Sequence, residues 1–225
     1  MAWRLHRRPT AVIFDMDGLL LDTEPLAARA WNEAALHLGV EFDEALALAM
    51  VGRNFPDCAA MVRARYGTSY PVEALLDRWH AAYDAIVARD GVSLKPGATE
   101  LLDWLERHAI SRAVATSTRR ERACAKLVDA GLLARFRDVV GGDEVARGKP
   151  EPDIYVEAAR RLGVRADQCL ALEDSAPGVR AALAARMATI MVPDLHGPPG
   201  DLVALDLLVL PSLREVLEHL AALPA

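Results

Sequence analysis

The hydrophobic residues of the chain follow one pattern in its first third and another in the rest. Residues 10–15 contain the continuous apolar run AVIF, which is typical of a strand buried on both faces. Helical periodicity then follows without an intervening strand. The four predicted helices are 25–38, which Thr23 is expected to cap, then 43–50, 56–66 and 71–88. The pattern therefore predicts an all-helical unit directly after the first strand.

From about residue 93 onward, strands and helices alternate. The predicted strands are 111–116 (SRAVAT), 137–140 (RDVV), 168–173 (QCLALE), 189–192 (TIMV) and 206–210 (DLLVL). The predicted helices are 97–108, 120–130, 153–162, 178–185 and 213–223. Such alternation predicts a parallel sheet that helices cover on both faces.

These two patterns together predict an α/β protein with an insertion. A Rossmann-like parallel-sheet core is expected from residues 1–20 and 93–225, and a helical bundle from residues 21–92. The chain would cross between the two units only near residues 20–23 and 89–95. We expect hinges there, with Asp22 as a hinge or capping residue.

The composition narrows the class of protein. Hydrophobic residues make up 52% and charged residues 26%, as expected for a packed globule, and the net charge of −6 argues against a nucleic-acid partner. The three cysteines, Cys58, Cys124 and Cys169, are widely spaced and are expected to be reduced thiols. No segment has the pattern of a signal peptide or the length of a membrane span. We therefore expect a cytoplasmic protein, monomeric or weakly dimeric.

Polar residues follow three of the predicted strands at the point where each strand ends. Asp15 and Asp17 follow the first strand, residues 116–118 (TST) end the second, and Glu173 and Asp174 end a later one. The loop GKPEPD, residues 148–153, adds Lys149. Because ligands bind beyond the carboxyl ends of parallel strands, these side chains are expected to share one crevice.

Each of these residues has a structural explanation when it is considered alone. Asp15 could end a strand as a turn residue, Lys149 could be a solvated surface charge, and Glu173 with Asp174 could cap the next helix. Taken together, at least three carboxylates would meet at one sheet edge, where they repel one another unless a cation compensates them. Oxygen ligands of this kind favour Mg²⁺.

Four short motifs resemble a known family. In order, DMDG, TST, GKP and LEDS match the four motifs of the haloacid dehalogenase-like hydrolases, and the resemblance covers essentially the whole chain. The helical insertion directly after DMDGLLLDTEP is similar to the branch that contains β-phosphoglucomutase and sugar-phosphate phosphatases. The resemblance implies phosphoryl transfer to a carboxylate.

The resemblance also implies roles for individual residues. Asp15 would be the nucleophile that forms an aspartyl-phosphate, and Asp17 would protonate the leaving alkoxide and later deprotonate water. Lys149 would supply a fixed positive charge. Thr116 would donate its hydroxyl to a phosphoryl oxygen, helped by backbone N–H groups of residues 15–17 and 117–118.

The same resemblance implies a ligand set for Mg²⁺. Asp15, the backbone carbonyl of Asp17, and Asp174 would bind the ion, and Glu173 would add a ligand directly or through water. Gly18 would allow a tight turn close to the ligand. Asp153 could orient Lys149 or a metal-bound water, or it could cap the helix that begins there.

The resemblance also discriminates among the reactions of the family. Asp17 with Glu173 and Asp174 argues against a dehalogenase, and the absence of lysine from the insertion argues against the phosphonate hydrolase. β-Phosphoglucomutase has an insertion histidine at the position of Ala27, so water is the expected acceptor. We therefore expect a phosphatase acting on a small phosphorylated metabolite; a phosphomutase and a non-catalytic ligand-binding relative are the alternatives.

The insertion is expected to act as a lid that supplies substrate specificity. Arg53 and Asn54, in the segment VGRN between two predicted helices, could bind a distal group of the substrate. An ordinary surface-loop role is the alternative for Arg53. Arg119, together with Ser117 and Thr118, follows the second strand and could also contact the substrate.

Overall fold

The computed structural model describes residues 5–41, 43–50, 53, 55–67, 69–195, 197–205 and 207–224, except for the side chains of residues 44, 48 and 55. Within these ranges, one parallel sheet contains six strands: β1 (Ala11–Phe14), β2 (Ser111–Ala115), β3 (Asp138–Val140), β4 (Cys169–Glu173), β5 (Ala188–Met191) and β6 (Leu208–Val209). All six predicted strands are present, which confirms the predicted parallel sheet.

The strands lie in the order β3-β2-β1-β4-β5-β6, with β1 at the centre. Ala11 is in register with Ser111 of β2 on one side and with Cys169 of β4 on the other. From β1, the chain first adds β2 and β3 on one side of the sheet and then adds β4, β5 and β6 on the other. The loops after β1, β2 and β4 diverge from the sheet at this point, which is where open α/β sheets bind ligands.

Ten helices complete the described fold. The first four are α1 (Glu24–Leu38), α2 (Glu44–Ala49), α3 (Phe55–Tyr66) and α4 (Val72–Asp90). The others are α5 (Ala98–Arg107), α6 (Arg120–Asp129), α7 (Asp153–Leu162), α8 (Ala176–Ala184), α9 (Gly200–Val203) and α10 (Leu213–Ala222). Three single-turn 3₁₀ segments, at residues 133–135, 142–144 and 166–168, connect some of these elements.

Alternate residues of β1 pack into opposite hydrophobic layers. Val12 and Phe14 contact the layer formed by α5, α6 and α10, whereas Ala11 and Ile13 contact the layer formed by α7 and α8. Because a strand directs successive side chains to opposite faces, a strand between two helical layers must be apolar at every position. The run AVIF meets that requirement, and all four residues are fully buried.

Helices α1–α4 form a separate hydrophobic cluster. The buried side chains of Trp31, Leu75 and Leu76 lie in this cluster, and the ring of Trp31 stacks on that of Trp79 with centroids 5.0 Å apart. These helices lie between β1 and α5 in the chain, as the sequence predicts. The exact limits of the insertion, 21–92, stay a prediction.

The two chain segments that join the helical unit to the sheet lie side by side. Leu21 and Leu94 form an antiparallel bridge, and the backbone N–H of Asp22 donates to the carbonyl of Ser93 at 2.8 Å. The backbone N–H of Lys95 donates to the carbonyl of Leu20 at 2.9 Å. The two linkers are therefore hydrogen-bonded to each other, at the positions where hinges are expected.

One local expectation about the helices is wrong, and two further helices differ from the predicted elements. Thr23 occupies the N-cap position of α1, but its side chain makes no capping hydrogen bond. Helix α9, four residues that follow a proline-rich loop, was not expected because it is too short to show a period. Helix α8 also begins earlier than expected, at Ala176, because the Ser175 hydroxyl caps it by accepting from the Gly178 N–H at 3.3 Å.

Candidate active site

The end of β1 places Asp15 in the interior of the protein. Its backbone N–H donates to the carbonyl of Leu172 in β4 at 3.0 Å, and the residue is only 6% exposed. Gly18, three residues later, has a φ of +84°, a left-handed conformation that glycine adopts without strain. A Cβ atom at Gly18 would also overlap the carboxylate of Asp174. The loop after β1 therefore approaches the loop after β4 so closely that only glycine fits.

The loop after β2 is hydrogen-bonded to the loop after β1. Thr116 is 1% exposed, and its hydroxyl oxygen accepts from the backbone N–H of Thr118 at 3.1 Å. The hydroxyl of Thr118 donates to Oδ2 of Asp17 at 2.7 Å. The Thr116 oxygen accepts this bond through a lone pair, so the hydroxyl proton remains available to donate. The predicted contact with phosphate needs that proton.

Lys149 lies beside Asp15 and Glu173 and is as buried as they are. Its Nζ donates to Asp15 Oδ1 and to Glu173 Oε1, each at 2.5 Å, and Lys149 is 1% exposed. Burial alone would lower the pKa of Lys149, but the charges of Asp15 and Glu173 outweigh it and raise that pKa. The ammonium group is therefore fixed in its charged form next to Asp15, and it is not a solvated surface charge.

Glu173 is saturated with hydrogen bonds from neighbouring side chains. Besides Lys149, Oε1 accepts from the Tyr155 hydroxyl at 2.6 Å, and Oε2 accepts from the Ser175 hydroxyl at 3.0 Å. A carboxylate with both oxygens engaged holds its partners in place. Glu173 therefore orients Lys149. Contact of Glu173 with a metal ion stays a prediction.

Three carboxylates form a cluster that could hold a cation. Oxygens of Asp15, Glu173 and Asp174 lie within 4.8 Å of one another. Burial, and then the charge of Glu173, raise the pKa of Asp15 to about 8 despite the opposing charge of Lys149. Burial and the charges of Asp15 and Glu173 raise the pKa of Asp174 as well. Like charges this close need a compensating cation, and an all-oxygen donor set fits a hard divalent ion such as Mg²⁺.

The backbone of the loop after β1 lies directly against the carboxylate cluster. A Cβ atom at Gly18 would overlap Oδ2 of Asp174, so no side chain fits between this backbone and that carboxylate. The sequence predicts that the carbonyl of Asp17, adjacent to Gly18, is a ligand. The residues present therefore fit a divalent cation at the predicted position.

Lys126 is a site residue that the sequence did not reveal. Its Nζ donates to Asp17 Oδ1 at 2.7 Å and lies 4.7 Å from the centre of the Tyr83 ring. Burial would raise the pKa of Asp17, but the charge and hydrogen bond of Lys126, with the hydrogen bond from Thr118, lower it. The one available signal was that Lys126 is the only lysine of helix α6 and one of three in the chain.

Two of the residues expected on the substrate side lie at a crevice whose lining does not include Asp15. Ser117 and Arg119 line a crevice of about 560 Å³ together with Pro56 and Asp57 from α3. Arg119 is exposed at the N-terminus of α6. The crevice is lined by α3 of the helical unit and by loops of the sheet domain, and contact of Arg119 with a substrate stays a prediction.

The remaining predicted site residues are Arg53, Asn54 and Asp153. Arg53 lies between α2 and α3, and its Nε donates to the carbonyl of Ala49 at 3.2 Å. Asn54 lies outside the described residues. The Asp153 carboxylate accepts hydrogen bonds from Arg147 at 2.7 and 3.2 Å, and Lys149 is oriented instead by Asp15 and Glu173.

The fold and the site together define a class of protein. It is an α/β protein with a helical insertion after β1 and a buried carboxylate–lysine site at the switch point of a parallel sheet. Residues 9–186 match the family model described as haloacid dehalogenase-like hydrolase, and the chain belongs to this family.

Several known proteins are similar to the chain. The bifunctional riboflavin kinase/FMN phosphatase of Arabidopsis thaliana is 31% identical over 87% of this chain, which spans only 51% of that protein. The fructose-1-phosphate phosphatase YqaB of Escherichia coli is 32% identical over 84% of this chain and 98% of its own length. The solved structure of CbbY from Rhodobacter sphaeroides in complex with phosphate is 30% identical, with a TM-score of 0.74 over 92% of this chain and 96% of that one.

Among the helices that the structure describes, none has the length and apolar character that crossing a membrane requires.

Proposed function

We propose that the protein is a Mg²⁺-dependent phosphatase that hydrolyses a small, sugar-phosphate-like metabolite through an aspartyl-phosphate. The observation that carries this proposal is the setting of Asp15. Its carboxylate is buried, lies 2.5 Å from the ammonium group of Lys149, and shares a cluster with Asp174. Phosphatases among the similar proteins support the reaction class.

In the first half of the reaction, Asp15 attacks the phosphorus atom of the ester and the bond to the leaving oxygen breaks. A protonated Asp17 transfers its proton to that oxygen, so that the product leaves as an alcohol. In the second half, the ionised Asp17 removes a proton from water, and the resulting hydroxide attacks the aspartyl-phosphate. Inorganic phosphate is released and Asp15 is regenerated.

The phosphoryl group is held by residues that the fold fixes in advance. Lys149 places a positive charge beside the nucleophile, and the buried Thr116 hydroxyl and the loop N–H groups donate to phosphoryl oxygens. Donors that are already oriented stabilise developing negative charge without reorganisation. Asp15, Asp174 and the carbonyl of Asp17 would hold Mg²⁺. When bound, the ion would neutralise charge on the nucleophile and on the phosphoryl oxygens.

Water as the acceptor is supported by the surroundings of Ala27. This methyl side chain packs beside Tyr83 and Ile86 in a small apolar cluster of the helical unit. A sugar hydroxyl would need a polar group there to activate it as an acceptor. Ala27 offers none, which favours hydrolysis over the phosphomutase alternative.

The helical insertion, residues 21–92, would close over the crevice and select the substrate. Arg53, Asn54 and Arg119 are the side chains proposed to contact the part of the substrate beyond its phosphate group. The three cysteines are free thiols, which fits a reducing, cytoplasmic location.

The first test is hydrolysis of p-nitrophenyl phosphate, followed by a panel of phosphorylated metabolites. We expect slow phosphate release that EDTA abolishes and that added Mg²⁺ restores, and no detectable release from Asp15→Asn. Asp201→Asn, which changes an exposed carboxylate held by Arg180, is the matched control and should retain wild-type activity. Activity retained in Asp15→Asn would contradict the assigned nucleophile, and isomerisation of a hexose phosphate without phosphate release would favour the mutase.

A further inference from the structure

Asp194 is a buried carboxylate for which the proposed reaction has no role. It lies in the loop after β5, and its side chain is 10% exposed. Oδ1 accepts from the Nζ of Lys95 at 2.7 Å. Oδ2 is buried and has no hydrogen-bond partner among the described residues. A buried carboxylate oxygen without a partner costs free energy, which indicates that it has a donor in the functioning protein.

The unpaired oxygen lies near Asp174, one of the predicted ligands of the cation. A Cβ atom on Gly18 would lie 3.3 Å from Asp194 Oδ2 and 3.0 Å from the Cγ of Asp174. Both carboxylates therefore approach the same side of Gly18, and that of Asp174 is in direct contact with it. Gly18 follows Asp17, whose carbonyl is one of the proposed ligands. Asp194 thus extends the group of carboxylates around this loop, and the described cation that pairs with it is Lys95.

The distances separate Asp194 from the inner ligands. The carboxylates whose oxygens lie within 4.8 Å of one another are those of Asp15, Glu173 and Asp174, and Asp194 does not belong to that group. Mg²⁺ retains several water molecules when proteins bind it, and those waters are strong hydrogen-bond donors. An oxygen just beyond the inner ligands is suited to accept from such a water.

We propose that Asp194 is an outer ligand of the divalent cation: its Oδ2 accepts a hydrogen bond from a water molecule bound to the ion. The inference rests on the proposed function, because it requires the cation. Lys95 positions this carboxylate through Oδ1. Lys95 also lies 3.5 Å from Oδ1 of Asp22, so the outer ligand is attached to both linkers of the helical unit.

The test measures the binding of Mg²⁺ itself by titration calorimetry, without substrate. Asp194→Asn keeps the shape and a hydrogen-bond acceptor for Lys95 but removes the negative charge from the cation side. Loss of an outer ligand typically weakens metal binding by about 10- to 100-fold, so we expect the Kd for Mg²⁺ to rise at least about tenfold. Asp194→Ser serves the same comparison if the asparagine variant does not fold, as judged by circular dichroism.

Asp22→Asn is the matched control. It removes the same charge from the same lysine, but Asp22 contacts Lys95 at 3.5 Å and is 41% exposed in its side chain. We expect its Kd for Mg²⁺ to stay within about twofold of wild type. An unchanged Kd in the Asp194 variants, or an equal weakening in Asp22→Asn, would overturn the outer-ligand assignment. If the wild-type protein itself did not bind Mg²⁺, the proposed function would fail as well.

Discussion

Asp15 and Asp17 are two residues apart in the chain but have opposite electrostatic surroundings. Burial and a neighbouring carboxylate raise the pKa of Asp15, whereas Lys126 and Thr118 lower that of Asp17 despite its burial. Asp15 therefore shares the charge of Lys149 with Glu173 and keeps a raised pKa, while Lys126 pairs with Asp17 alone among the carboxylates that the structure describes. The lowered pKa favours the ionised form of Asp17, which the second half of the proposed reaction needs, whereas the first half needs its protonated form.

Replacement of Lys126 tests whether it positions Asp17. In Lys126→Met, Asp17 loses the partner that orients its Oδ1, so we expect kcat to fall about 10- to 100-fold with a much smaller change in KM. Steady-state kinetics with p-nitrophenyl phosphate measure both constants.

Arg122→Met is the matched control for this variant. Arg122 lies on the same helix and pairs with Asp84 of α4, but it does not contact the site. Its kcat should remain close to the wild-type value. An equal loss in both variants would mean that the contact between α6 and α4, rather than the contact with Asp17, is what matters.

The role of Lys126 could not be predicted from its position in the chain. It is 109 residues from Asp17 in the chain. Helical periodicity shows only which residues of α6 lie on the same face of that helix. Asp15, Lys149 and Glu173 were easier to place at the site, because each of these residues lies at a strand end or in a recognisable motif. Asp194 also follows a strand, β5, but no motif marks it.

At the scale of the elements, prediction succeeded where burial imposes a strong pattern. The strand β1 must be apolar at every position because helices cover both its faces. Proline near the start and glycine after the end mark the limits of the long helices α1 and α4. Helix α9 and the missing side-chain cap of α1 were not predicted, for physical reasons. A four-residue helix has no period, and the orientation of a threonine side chain depends on tertiary neighbours.

Gly97 tests how closely two elements approach. It precedes α5 with a φ of +88°, and a Cβ atom there would lie 2.8 Å from the carbonyl carbon of Leu213 and 2.9 Å from the Cα of Arg214, at the start of α10. Gly97→Ala adds backbone strain and a collision that only movement of α10 can relieve. We expect the free energy of unfolding to fall by about 2–5 kcal/mol in urea titrations.

Gly131→Ala separates the two contributions. Gly131 also has a positive φ, +69°, but nothing lies within 4 Å of the position that its Cβ would take. We expect a loss of only about 1–2 kcal/mol, from backbone strain alone. Equal losses in the two variants would show that α10 moves aside at no cost.

At the scale of the whole molecule, the helical unit and the sheet domain meet through charged and aromatic side chains. Tyr83 of α4 lies against Lys126 of α6, and Asp84 of α4 pairs with Arg122. The lysine that holds Asp17 is thus covered by a residue of the helical unit. The position of that unit and the setting of the proposed acid/base are therefore physically linked.

The acidic groups close to Glu24 predict that the stability of the fold depends on pH. Burial, and then the charges of Asp17 and Asp194, raise the pKa of Glu24 from 4.5 to about 7. A carboxyl group with a raised pKa in the folded state stabilises the fold when it is protonated, and that contribution is lost as the pH rises through 7. Between about pH 5 and pH 8 in a chelating buffer, the wild type should therefore lose stability relative to Glu24→Gln.

Thermal unfolding of the two proteins across this range measures the effect. The unfolding midpoint of Glu24→Gln minus that of the wild type should increase from about pH 5 to about pH 8. The comparison at about pH 5, where Glu24 is mostly protonated, serves as the internal control. A difference that stays constant with pH would contradict the raised pKa.

The sequence by itself determined the alternation of strands and helices, the insertion after the first strand, and the residues at the strand ends. It could do so because burial on both faces of a strand and the periodicity of a helix are local requirements that each segment must meet. Only the tertiary structure decided that Lys126 holds Asp17, that Glu173 orients Lys149, and that Asp194 and Asp174 lie beside Gly18. Those contacts join residues from different loops and helices, and their distances depend on how the elements pack rather than on any period along the chain.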